Sequence, residues 1–537
     1  MKYLFFSTEN LIGPVAEKLT QEGQEVTIAQ IPDLRMVNLP EEGPGKAEDP
    51  ECRKRRLSMG EGIVEQQDAV AIMKVLGKLN PKDFFVAGEL NSSWDFCQRC
   101  YDKGFTGMLP LQEDRELEVA RDRAKEIVKK NYPDLSVMEC QEFKKAADGI
   151  KFLQESDQVW VLKSLGDSGE TVCPKIDDPE LANQEIIDML EENAKAYEEN
   201  GFMLEQKILN GIEMTPEAVF WNGKLVFTDL DIETKTIGGA ELGPNVGCGT
   251  NLIVRTDPED RINKIAFPPY VRELAAKRKG MFIIDCGIIF DRRTDKPYFT
   301  EFCFQRFGWD CFPTELMMCE STRDYFEKVV KGENPLKFRF GASTRLFNLN
   351  QDEDHQPEAG LSVDANEAAK HCLFLYDVKK DGDKIVTTGY QRDLGVACGS
   401  GDTVMEAVYN CYEYARGVAF NDLYYRSEDD FQSKRYSQAI LRRLEYAVRH
   451  GLIKNEGILQ DLGEHHYDSP VDMLEDFNRK YRQTMVDNAE LQAKLKGYRE
   501  QAKGMEDFHR RSKEKLKQTH AQEISKVKSV VKDLLEE

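Results

Sequence analysis

Apolar and polar positions along the first thirty residues predict strand, helix, strand. The run KYLFF (2–6) is followed by the amphipathic ENLIGPVAEKLTQEG (9–23) and a second apolar run, EVTIAQI (25–31). That order begins a parallel α/β layer. Residues 39–60 (LPEEGPGKAEDPECRKRRLSMG) carry Pro, Gly and mixed charge and are expected to be an insertion or long loop. The pattern resumes with a helix at AVAIMKVLGKL, a strand at DFFVAG, and the turn and helix of NSSWDFCQRCYDKG. A helix is predicted over 116–130 before Pro133, a strand at VWVLK (159–163), a helix over 179–200 and a strand at FMLEQKIL.

Beyond these the periodicity changes to α+β. AVFWNGKLVFTDLD reads as a hairpin turning at Asn222-Gly223, and a long strand pair turns across 291–296. Residues 361–428 form a hairpin-rich segment followed by the helix DTVMEAVYNCYEYARGVA, as in a small separate subdomain. From about Gln432 the chain is expected to be helical to its end. Leu495, Tyr498, Ala502 and Met505, then Ile524, Val527, Val531 and Leu534, repeat at three and four residues, a heptad-like seam that suits a homo-oligomer or an intramolecular helical hairpin.

At 537 residues, two to four domains are expected. A net charge of -23, from 96 acidic against 73 basic residues, argues against nucleic acid or an anionic membrane as partner. No stretch approaches the roughly 18 apolar residues of a membrane span, and a cytoplasmic protein is expected. Its thirteen cysteines are then expected to be reduced, and the lone Cys97/Cys100 pair to be structural.

Candidate chemistry lies in the middle of the chain. Lys163 ends an apolar strand and precedes a loop with Gly166 and Gly169, which suits a polyphosphate grip but equally an exposed lysine before a turn. The strand Gln206, Lys207, Ile208, Leu209 leads to Gly211 and Glu213 and can offer backbone groups to a base and a carboxylate to ribose. Next come Lys235 and the glycine-bearing loop around Asn245. Last is the pair of strands with Asp285 before the turn and TEFCFQRFG (300–308) after it. Aromatic alternation there predicts a half-buried strand, in which Glu301 needs a metal ion, a cationic partner or solvent.

In this order the pieces resemble the ATP-grasp ligases, most nearly the phosphoribosylamine-glycine ligases. The likeness runs over residues 1 to about 428 and is strongest at 159–310 and in TTGYQRDLGVACGSGDTVMEAVYNCYEYARGVAFNDLYYR (387–426). It implies a pre-ATP-grasp α/β domain at 1–115, an ATP-grasp domain at 116–345 with its lid at about 130–210 and a small C-terminal α+β subdomain at 346–431; the helical coiled-coil-like tail at 432–537 has no counterpart in the family and is read from its periodicity alone.

The resemblance implies ATP and Mg2+ as cofactors and small-molecule carboxylate and amine substrates, joined through an acyl phosphate with release of ADP. Lys163 would hold ATP phosphates, with Gly166 to Gly169 as a flap and Arg121 where the family has another ATP-contacting lysine. Gln206 to Leu209 would line adenine, where the family has paired glutamates at the first two positions, and Glu213 would take the ribose. Lys235 and Asn245 would stand beside the reacting groups, in a loop where Val246 replaces the family's threonine. Glu301 would bind magnesium. Cys303 replaces the family's asparagine and is too soft for that ion, so Asp285 is the expected second oxygen ligand. Arg306 would stabilise the transferred phosphoryl group.

The family's glycine-rich phosphate loop ending in Arg-Glu-His is here FFSTENLIGPVAE, which favours a different amine substrate. Ser7 and Thr8 suit either an anion contact or a helix cap. Two other readings stand beside this one: a catalytically weakened scaffold acting through its helical tail, and genuine glycinamide ribonucleotide synthesis.

Overall fold

The structure is a computed structural model that describes residues 1–462, apart from 35–37, 40–42, 45–47, 90–92, 166–170, 210, 240–241, 306, 309, 353–354, 429–430 and 432–438. The helical seam expected beyond 463 lies outside the described residues.

The predicted opening layer forms. Strand Lys2–Ser7, helix Gly13–Gln21 and strand Glu25–Gln30 follow in order, and Lys2–Ser7 lies parallel between Glu25–Gln30 and Phe84–Gly88. Phe84–Gly88 pairs in parallel with Thr106–Met108, which joins the layer through Met281↔Met108 to the antiparallel strands. One 15-stranded sheet results, mixed α/β in character.

Its antiparallel half contains Ile212–Trp221, Lys224–Thr236, Asn245–Thr256, Met281–Asp291 and Lys296–Phe304. The predicted hairpin is present: Asn222 and Gly223 both take positive φ (48° and 79°), as a two-residue turn with the twist of its strands requires. Successive side chains of these strands face opposite ways. One face holds Met214, Leu230, Leu252, Ile284 and Phe302 in the larger core. The other carries Glu217, Asp229, Asp231 and Asp285, all buried, among Val219, Phe227, Ile253 and Ile283.

A separate three-stranded antiparallel sheet has the order Trp160–Ser164, Phe202–Gln206, Cys140–Phe143, with helices Ala146–Glu155 and Pro179–Glu192 in its core.

Three expectations are corrected. The stretch 39–60 is not all loop: it holds the helix Pro50–Ser58, started by Asp49, whose carboxylate accepts from the N–H groups of Glu51 and Cys52. The helix over 116–130 is two, Gln112–Val119 and Arg121–Asn131, broken where Ala120 leaves helical geometry (ψ 77°). That over 179–200 is likewise two, broken at Asn193. A single residue off the helix leaves each half amphipathic, so periodicity does not register the break.

Candidate functional site

Helix Arg121–Asn131 ties the two sheets together. Arg121 and Lys125 are four residues apart, hence on one face about 6 Å apart along the axis. Lys125 Nζ donates to Glu205 Oε2 on strand 202–206, and Lys163 Nζ, from the neighbouring strand, donates to Glu205 Oε1. Lys125 and Glu205 are buried. Burial pushes the Glu205 carboxyl up, but the two ammonium groups more than reverse this and hold it below the usual carboxylate range. Two cations on one carboxylate leave a net positive charge beside Lys163.

Arg121 faces the large sheet, where its Nη2 lies 3.4 Å from Glu301 Oε2. The ladder between Met281–Asp291 and Lys296–Phe304 slips by one residue between Cys286 and Ile288, so Thr300 and Glu301 together oppose Gly287. Such a bulge re-aims side chains. The Glu301 side chain is 39 % accessible, and the expected buried carboxylate is instead open to solvent with a guanidinium beside it.

Lys235 completes this group. Its Nζ donates to Glu233 Oε2, and Glu213 and Glu301 lie within electrostatic reach. Desolvation would lower its pKa, but the three acids override that and hold the ammonium well above the usual lysine range. Its side chain is 43 % accessible.

Buried arginines fix the strand ends that carry these residues. Arg443, on helix Ile440–Arg449, donates to the carbonyls of Glu213 and Glu233. Arg426 donates to the carbonyls of Thr236 and Gly238, just past Lys235. Arg345 donates to Val246 O at 2.8 Å and meets Asp310 and Asp393, so it pins the start of strand Asn245–Thr256, where Asn245 lies exposed; the loop expected around Asn245 is strand from that residue on, with Asn245 opposite Thr236.

The segment Gln206 to Leu209 is half-buried. Its first two side chains point at the smaller sheet's surroundings: Gln206 Nε2 donates to Gln158 Oε1 at 2.6 Å, and Lys207 Nζ to Pro174 O at 2.7 Å and Asp177 at 3.0 Å. Asp285 is fully buried, opposite Cys303 on one side and Glu217 on the other, and Glu217 in turn faces Asp229. Carboxylate oxygens of Glu217, Asp229 and Glu315 all lie within 4.8 Å of one another. Gly166, Gly169 and Arg306 fall outside the described residues.

The structure thus gathers Arg121, Lys163, Glu213, Lys235 and Glu301 along one continuous line of charge. Sequence reasoning missed Lys125, Glu205 and Glu233. The repeat of Arg121 and Lys125 at helical spacing was the one signal for Lys125; Glu205 reads in sequence as part of a strand.

A search of protein-family models found no match. The phosphoribosylamine-glycine ligase of Helicobacter pylori is 23 % identical over 335 residues, 60 % of this chain and 75 % of that protein. The crystal structure of the phosphoribosylamine-glycine ligase of Thermotoga maritima superposes with a TM-score of 0.52 at 16 % identity, covering 79 % of this chain and 99 % of that one. This chain has the fold of the ATP-grasp ligases. A further ATP-grasp structure, the biotin carboxylase of Campylobacter jejuni in complex with β-γ-ATP, gives a TM-score of 0.50 at 11 % identity, over 81 % of this chain and 94 % of that one. No helix among the described residues is long and apolar enough to cross a membrane.

Proposed function

We propose that this protein is an ATP-dependent ligase that joins a carboxylate to an amine through an acyl phosphate and releases ADP. The observation that carries the reading is the linked series Lys163, Glu205, Lys125, Arg121, Glu301, Lys235, which runs from the smaller sheet to the large one. A carboxylate oxygen attacking the γ-phosphorus, with cleavage of the bond to the β-phosphate oxygen, brings anions together. Cations already in place lower that barrier.

In this reading Lys163 and Lys125 receive the phosphates, Arg121 meets the γ-phosphate, and the 206–209 segment lines the base with Glu213 at the ribose. Lys235 and Asn245 attend the acyl phosphate, together with Arg306. The amine nitrogen then attacks the acyl carbon, phosphate leaves and the nitrogen gives up a proton. Glu301 fits a magnesium ion, being an accessible hard oxygen donor at the phosphate end, with Asp285 as the second oxygen behind Cys303. Magnesium bound there would neutralise phosphate charge. The assignment of 1–115, 116–345 and 346–431 as separate domains belongs to the same proposal.

The test is ADP release across a panel of carboxylic acids and amines with the full chain, repeated with Glu301→Gln. ADP formation that needs both substrates and falls by about 10²- to 10³-fold in the variant is expected; AMP formation, or unchanged turnover in Glu301→Gln, would remove the assignment.

A second reading has its own observation. Glu301 already holds Arg121, and Cys303 stands beside it, an arrangement suited to a nucleotide-binding scaffold with little turnover. Magnesium-dependent ATP binding without ADP release for any substrate pair would favour it.

A further inference from the structure

A strand is held in place by its ladders, and both ladders of strand Lys224–Thr236 give out near Lys235. Pairing with Ile212–Trp221 runs from Trp221↔Lys224 to Thr215↔Asp231, so Glu213 and Glu233 stand two residues beyond its end. Pairing with Asn245–Thr256 slips between Thr234 and Thr236, at Lys235 itself. Such a slip bends a strand and re-aims its side chains. The three acids around Lys235, namely Glu233, Glu213 and Glu301, therefore need some other restraint to stay gathered.

That restraint comes from beyond residue 428, where the likeness to the ligases ends. Arg443 is 2 % exposed; its Nη1 donates to Glu213 O at 3.3 Å and its Nη2 to Glu233 O, so one planar guanidinium spans both strands past the end of their ladder. Its helix, Ile440–Arg449, is itself fixed. Ile440, Leu441 and Leu444 enter the same core as Ile212, Met214 and Ile232, the neighbours of the two glutamates in their strands. Further along, Tyr446 Oη donates to Asp295 Oδ1 at 2.6 Å, and His450 Nδ1 lies 2.9 Å from Asp295 Oδ2. Asp295 is in the turn before strand Lys296–Phe304, which carries Glu301. One helix thus meets the strands of Glu213 and Glu233 and the turn leading to Glu301.

We infer that Arg443 is a positioning residue of the nucleotide site: by holding the carbonyls of Glu213 and Glu233 it sets where their carboxylates stand, and with them the preference for a ribonucleotide over its 2′-deoxy analogue. The preference rests on the ligase reading, with Glu213 at the ribose; the gathering of acids around Lys235 stands on geometry alone. A site built to hydrogen-bond a hydroxyl discriminates against the analogue that lacks it only while its acceptor is held in place.

The experiment compares the full chain, wild type and Arg443→Met, in calorimetric titrations with magnesium and either ATP or 2′-deoxy-ATP. In parallel, acetylation of Lys235 by acetic anhydride is followed by peptide mass spectrometry without nucleotide. Arg443→Met is expected to bind ATP at least about tenfold more weakly and the 2′-deoxy analogue with little change, so that discrimination falls toward one. Lys235 should acetylate about tenfold faster, as its acids no longer stand close enough to hold the proton. The sign separates positioning from charge: removing a cation without moving the acids would hold the ammonium more tightly and slow labelling.

Tyr446→Phe, which loosens the same helix but keeps both Arg443 hydrogen bonds, should leave the discrimination unchanged; its loss there would overturn the inference. So would unchanged or slowed labelling in a folded Arg443 variant. If Arg443→Met does not fold, Arg443→Lys decides, since it keeps the charge without the fork that reaches two carbonyls and should move both readouts the same way by about threefold or more. Wild type that binds no nucleotide, or binds both equally, would remove Glu213 from a ribose while the labelling still decides whether Arg443 places the acids.

Discussion

The N-terminal crevice, where Glu89 is buried against the turn after strand Lys2–Ser7, and the charged group around Glu301 are both clusters of polar groups at strand ends, but their charge is balanced in opposite ways. At the crevice, one buried carboxylate accepts from four donors of Ser7, Thr8 and Glu9, all internal to the protein. Around Glu301, Glu205 meets two lysines, while Glu301 and Lys235 remain about two-fifths accessible. A polar cluster becomes a binding site only where the fold leaves charge uncompensated and reachable. Where every partner is internal, the same residue types serve stability.

The largest effect expected from breaking this contrast is Lys125→Met. It leaves buried Glu205 with a single cation and should cost about 3–5 kcal/mol in denaturant unfolding, with weakened ATP binding. Next comes Glu301→Gln, which keeps shape and removes charge. ADP release should fall by about 10²- to 10³-fold with little change in melting temperature, as measured by a coupled assay and calorimetry.

Glu9→Gln sharpens the other side. Burial and the neighbouring Glu89 raise the Glu9 carboxyl from 4.5 to about 7, against the opposing pull of Arg56 and the Tyr390 hydroxyl and with a small push from Glu48. The folded chain therefore keeps this proton to higher pH than the unfolded chain. The resulting stabilisation is full below about pH 4.5 and is lost as pH rises to about 7. Glu9→Gln should remove a decline on the order of 2–3 kcal/mol across that window in urea titrations at stepped pH. The smallest change is Arg121→Lys: the 3.4 Å pair with Glu301 is half-exposed, and its loss should alter stability by less than about 1 kcal/mol. A larger loss of ATP affinity in the same variant would mark Arg121 as a phosphate contact.

Hydrophobic periodicity alone determined the strand, helix, strand opening and the Asn222-Gly223 hairpin, and residue order alone pointed to Lys163, Glu213, Lys235 and Glu301. These signals are local, because backbone pleat, turn chemistry and charge type are written within a few residues. Only the tertiary structure decided that Glu205 joins Lys125 to Lys163 across 80 and 42 positions, and that Glu89 fills a turn 80 residues earlier in the chain. A carboxylate reads the same in sequence whether it faces a metal ion, an arginine or a backbone amide. Which of these it meets depends on strand order, on a one-residue bulge and on what the packed core leaves open to water.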